Sequence, residues 1–158
     1  MILIKNGKIF TMAAPVLENG CILVRDGKIV EVGQHIAAPA GAQVIDAGGR
    51  MVIPGMIDAH CHLGMWETAI GFEGDDGNEM TSPVTAQLRA IDALNPMDRS
   101  FQEARDGGVT TACTGPGSAN VIGGTFVAVK THGDRIDDMI VKDPLAMKCA
   151  FGENPKRV

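Results

Sequence analysis

The sequence predicts an α/β chain in two parts: a small antiparallel β module over residues 1–53, then a strand–helix–strand succession over residues 54–158. Three observations carry this. Short β-prone runs in the first third are separated by Asn6-Gly7, Asp26-Gly27 and Gly48-Gly49, dipeptides that favour tight hairpin turns. The pattern changes at Pro54-Gly55, after which Met56–Cys61 is apolar at successive positions, as in a strand buried on both faces. A helix start at Asn95-Pro96 then leads to a β-branched run at Val109–Thr114, the order of a βαβ unit.

In the first part, Ile2–Ile4 and Lys8–Met12 flank Asn6-Gly7, and Cys21–Arg25 and Lys28–Val32 flank Asp26-Gly27. Val44–Asp46 and Met51–Ile53 form a last pair of short runs. Apolar and polar residues alternate as in sheets with one wet face. Nothing in this module could do chemistry, and His35 falls in a solvated loop.

In the second part, a long loop over 63–83 carries Trp66, Glu67, Glu73, Asp75, Asp76 and Glu79. Loops of this length are usually functional, so this one is a candidate pocket wall. Val84, Leu88, Ile91 and Leu94 recur at helical spacing and predict a helix over 84–94. A second helix is expected with Asn95 as N-cap, Pro96 at the first position, Phe101 and Ala104 inward and a stop at Gly107-Gly108. Val121–Lys130 and Leu145–Phe151 read as further strands, the latter buried, while Asp137–Val141 is ambiguous.

The chain has 158 residues, 45% hydrophobic and 21% charged, with net charge −5, which describes a globular protein with a core. With no basic run, nucleic acid is not an expected partner. No apolar stretch approaches the roughly 20 residues that span a bilayer, so no membrane partner is expected either. The N-terminus lacks the regions of a signal peptide, and a cytoplasmic location is expected. Cys21, Cys61, Cys113 and Cys149 form no C-x-x-C pair and read as reduced, mostly buried residues.

The chemistry concentrates at Asp58-Ala59-His60-Cys61-His62. Alternate side chains of a strand share a face, so His60 and His62 point the same way, with Asp58 behind them and Cys61 turned towards the core. Two readings stand: ligands of one metal ion, or one satisfied and one exposed polar residue. The strand context favours the ion. Cys113 reads as core and His132 as a solvated loop residue. Thr114–Ser118 is Gly-rich, yet it lacks G-K-[ST] and any dinucleotide fingerprint.

Together, the N-G-K and D-G-K hairpins, Ile53-Pro54-Gly55-Met56-Ile57-Asp58-Ala59-His60-Cys61-His62 and Gly107-Gly108-Val109-Thr110-Thr111 resemble the amidohydrolase superfamily of metal-dependent hydrolases. Gly115–Asn120 with Gly152-Glu153-Asn154-Pro155-Lys156 resembles its imidazolonepropionase-like branch. The resemblance implies a distorted (β/α)8 TIM barrel preceded by a small antiparallel β-sandwich module. Such a barrel takes about 250 residues, so residues 54–158 have room for its first part only. The expectation is an N-terminal fragment, inactive alone, with the family's catalytic Asp beyond residue 158. Homo-oligomerisation, or association with the missing C-terminal part, is expected to cover its open faces.

The implied activity is hydrolysis of C–N bonds in amides or cyclic amides of a small-molecule substrate, by water activated on one or two divalent ions, most simply Zn2+. The resemblance offers His60, His62 and Glu153 as metal ligands. Glu153 in F-G-E-N-P is matched by the alternative of a surface glutamate beside a turn. Lys148 is the other option, as a metal-bridging carboxylated lysine. Asp58 either orients an imidazole or serves the strand entrance. Two competing functions are a non-catalytic protein that keeps the fold for assembly and a self-standing metal-binding β protein.

Overall fold

A computed structural model describes residues 1–67 and 70–158. Residues 68 and 69 of the predicted 63–83 loop lie outside the described residues. The chain divides into two compact units, Met1–Pro54 and Gly55–Val158.

The first unit is one five-stranded sheet. Its strands are β1 (Ile2–Ile9), β2 (Leu17–Arg25), β3 (Lys28–Gly33), β4 (Gln43–Asp46) and β5 (Met51–Val52). The order is β3-β2-β1-β4, with β5 also paired to β1. The Asp26-Gly27 hairpin is present, with φ of 50° and 73°, the two positive values that a type I′ turn needs. The Asn6-Gly7 expectation fails. Asn6 takes φ 55°, but β1 continues through it as an irregularity, because residues on either side of it pair with the same strand, Ile4 with Ile22 and Ile9 with Leu17. The module is also not purely antiparallel: β4 and β5 run parallel to β1, one after the other. Leu3, Cys21 and Leu23 form the buried cluster, with Ile36 against it.

The second unit contains β6 (Met56–Cys61), α1 (Arg99–Asp106), β7 (Val109–Thr114), β8 (Ile122–Lys130), α2 (Ile136–Met139) and β9 (Ile140–Cys149). The sheet order is β6-β7-β8-β9. β6 and β7 are parallel, as the βαβ reading requires. β8 is antiparallel to both β7 and β9, so the sheet is mixed. Met65, Leu94, Phe101, Val127, Val129 and Met139 pack into one core cluster. β8 supplies Val127 and Val129 from one face, which by strand alternation sends Phe126 to the other.

Three local expectations are corrected. Residues 84–94 hold only a three-residue 3-10 turn, Ala90–Asp92. The backbone there bonds to β8 instead: Thr85 N donates to Ile122 O, and Thr125 N donates to Leu88 O. The cap of α1 is Asp98, whose Oδ1 accepts from Ser100 N at 2.9 Å, while Asn95 Oδ1 accepts from Met97 N in the preceding turn. The two outer strands are not buried on both faces, since β6 and β9 are the sheet edges and Ile57 is 71% exposed. Phe101 is buried as expected. Among the described residues no helix is long and apolar enough to cross a membrane.

Candidate metal centre at the end of β6

His60 is the penultimate residue of β6, and His62 follows the strand directly. Their ring centroids lie 5.3 Å apart, nearly perpendicular at 77°. Asp58 Oδ1 accepts from His60 N at 3.1 Å, so this carboxylate holds the strand backbone and does not touch an imidazole nitrogen. Cys61 turns away and donates from Sγ to Cys113 O at 3.5 Å. Burial pushes both thiols up, and the Asp58 carboxylate adds to this. They keep their protons at neutral pH and are poor metal donors.

His62 is held from the end of β7. Gly115 N donates to Cys61 O at 3.3 Å, and Gly115 O lies 2.6 Å from His62 Nδ1. A carbonyl oxygen can only accept, so Nδ1 carries the proton and the lone pair of His62 sits on Nε2. The Trp66 ring meets His62 edge to face, with centroids at 4.7 Å and 85°. Thr114 Oγ1 donates to Leu63 O at 2.8 Å, which ties the residues after His62 to β7.

His60 is more exposed, and its ring stacks on Phe126, with centroids at 5.4 Å and 26° between planes. Its Nε2 lies 3.5 Å from Lys148 Nζ. At that distance the contact leaves the tautomer of His60 open. The pair fits a divalent cation: two imidazoles side by side, with Nε2 of His62 left free by the bond to Gly115 O. With bonds of about 2.1 Å, two imidazoles on one tetrahedral zinc have ring centres about 5 Å apart, close to the separation here.

Glu153 is not brought to the pair. Its Oε2 accepts from Lys156 Nζ at 2.9 Å in the turn that enters the 3-10 segment Asn154–Arg157. Among the described residues, no three His, Cys, Asp or Glu side chains converge on a common point. Lys148 is the residue that the fold delivers beside His60. Sequence reasoning missed Phe126 and Gly115 as parts of this site, because neither is polar and their contacts depend on the β7–β8 register.

A cavity of about 300 Å³ lies between Met65, residues 75–79, residues 88–93 and Pro116, at the lower end of ligand-pocket sizes. Its carboxylates are largely engaged by their own backbone or neighbours. Asp75 Oδ1 accepts from Gly77 N, Glu79 Oε1 from Met80 N and Thr81 N, and Asp92 from Arg89. Of the 63–83 loop, Met65 and residues 75–79 line this cavity. His132 and His35 are exposed.

No family model matches the chain. An amidohydrolase from Hapsidospora irregularis is 38% identical over 154 residues, covering 88% of this chain and 16% of that protein. A 5-methylthioadenosine/S-adenosylhomocysteine deaminase from Symbiobacterium thermophilum is 37% identical over 120 residues, covering 70% of this chain and 27% of that protein. The crystal structure of an amidohydrolase from Thermotoga maritima superposes with a TM-score of 0.90 at 41% identity, covering 99% of this chain and 40% of that one. The chain thus spans well under half the length of each of these relatives.

Proposed function

The chain belongs to the amidohydrolase superfamily, as a counterpart of the N-terminal portion of longer members, and from that premise we propose that it supplies the histidine pair of a metal-dependent hydrolase of C–N bonds. The observation that carries this is the bond between His62 Nδ1 and Gly115 O, which fixes the tautomer and leaves Nε2 free to ligate. Such a hydrogen bond on the second nitrogen is the usual support of a ligating histidine.

In this reading His60 and His62 hold the ion through Nε2, and zinc is the most suitable metal for imidazole donors. When bound, the ion activates water and polarises the scissile carbonyl. The chain's own residues do the rest of what is visible. The Gly115 carbonyl orients His62, Trp66 shields one side of that ring, and Asp58 steadies the strand backbone at His60. Lys148 must swing away from His60 Nε2 before that nitrogen can ligate. Glu153 is not needed for the proposal while it stays paired with Lys156. The substrate class is a small amide or cyclic amide, in keeping with the two relatives named amidohydrolase. The imidazolonepropionase-like branch is supported by Gly115–Asn120 and Gly152–Lys156, and a distorted barrel by the parallel β6–β7 pair.

The test is metal binding by the 158-residue chain, titrated with Zn2+ or Co2+, against a His60→Ala/His62→Ala double variant. The expected result is loss of the ion bound by the wild-type chain, with circular dichroism unchanged. Equal stoichiometry and affinity in the two proteins would overturn the assignment.

A further inference from the structure

The two histidines are oriented in different ways. His62 has a hydrogen bond on its second nitrogen. The ring of His60 has, among the described residues, only the long 3.5 Å approach of Lys148 Nζ to Nε2. No carboxylate or carbonyl on Nδ1 sets its angle. What the ring does have is a face. Phe126 is 4% exposed, stacks on His60 at 5.4 Å and 26° and lies tilted against His62 at 6.5 Å and 51°.

We propose that Phe126 is the positioning residue of the histidine pair: its ring, reaching from β8 across the bare Gly115, sets the orientation of His60 and backs that of His62. The inference rests on reading the pair as metal ligands. The register shows why Phe126 can reach. Thr114 pairs with Val127 at the end of β7, so Phe126 lies one step past the last pair, where the chain continues as Gly115. A Cβ at Gly115 would come into steric clash with three atoms of the Phe126 ring. The missing side chain therefore opens the path from β8, across the end of β7, to β6. Gly115 serves both ligands: its carbonyl holds His62, and its bare Cα admits the ring that holds His60. A phenyl face against an imidazole face limits rotation about χ2 without using either nitrogen. It can therefore orient a ligand whose Nδ1 has no partner.

The experiment compares Phe126→Leu and Phe126→Met, which keep an apolar side chain but remove the ring face, with Phe101→Leu in the full 158-residue chain. Phe101 is equally buried, at 2% exposed, and packs in the α1 core, with no ring contact to either histidine among the described residues, so it reports loss of packing. Co2+ affinity, the Co2+ absorption spectrum and thermal stability are measured for each. Loss of an orienting partner typically costs about 10–100-fold in metal affinity. Both Phe126 variants are expected to weaken Co2+ binding by about tenfold or more and to alter the spectrum. Phe101→Leu should lower stability while leaving affinity near wild type, and Phe126→Tyr, which keeps the ring face, should restore binding. Wild-type affinity in Phe126→Met, or equal weakening in Phe101→Leu, would overturn the proposal. Unchanged binding in the double histidine variant would instead overturn the ligand reading beneath it, so the two failures are told apart.

Discussion

The carbonyl oxygen of Gly115 lies 2.6 Å from His62 Nδ1, across the ends of the parallel strands β6 and β7. This contact joins two segments that the sequence separates by more than fifty residues. It exists because β6 and β7 stop at matching heights, with Cys61 opposite Thr114, so the residue after each strand meets the other. The βαβ connection therefore does more than bring two strands together: it places the β7 loop where it can fix a tautomer on β6.

Gly115→Ala tests that arrangement. Gly115 is buried and its φ is not positive, so close approach, not backbone conformation, demands a glycine. The added methyl would meet the Phe126 ring, and overpacking of this kind costs about 1–3 kcal/mol. Denaturant unfolding should show that loss, together with weaker Co2+ binding. A variant with wild-type stability would show that the ring yields freely and does not press on the loop.

A pH effect is expected in the first unit. Hydrogen bonding from Gly48 N, then from Asn6, with Lys5 nearby, holds the Asp46 carboxyl below its ordinary value of 3.8. A folded value below the unfolded one gives stability that is full above the ordinary value and is lost as pH falls through the folded one. The group is exposed, so the effect is small and screened by salt. Between pH 7 and pH 3 at low salt, the stability gap between wild type and Asp46→Asn should narrow as the pH drops below about 4. Hydrogen exchange of the β1–β4 amides is the suitable probe, and a gap that stays constant would remove Asp46 from the acid response.

What was legible in the sequence was local. The Asp26-Gly27 turn follows from two residues that tolerate positive φ. The inward Phe101 follows from helical spacing, and His60 and His62 sit at the end of β6 as their i, i+2 spacing in an apolar strand implied. What misled was also local signal, overridden by partners far along the chain. Asn6-Gly7 has turn chemistry, yet β2 pairs with the residues on both sides of it, β4 with those before and β5 with those after. Residues 84–94 have a helical stripe, yet their backbone groups find Ile122 and Thr125 on β8. The direction of β8 and its register on β7 leave no trace in composition. Phe126 could therefore be read as an apolar strand residue but not as a neighbour of His60.

The sheet edges carry the last prediction. β6 and β9 are the outer strands of the second unit, and both show apolar side chains to solvent: Ile57 is 71% exposed, Val141 53% and Met147 44%. Phe151, just after β9, is 84% exposed. An unpaired edge with an apolar face is a template for association, and a charge on the edge is the usual block. The 158-residue chain should therefore self-associate at concentrations of roughly tens of micromolar, the range in which exposed edges and apolar surface cause association. Light scattering after size exclusion should give a mass above one chain. Ile57→Lys should shift the population towards monomer without loss of secondary structure, because the side chain is already in solvent. A wild-type chain that stays monomeric throughout that range would show that these edges are protected in solution. An oligomer unaffected by Ile57→Lys would move the contact away from β6, to β9 or to the exposed Ile29 and Val30 of β3.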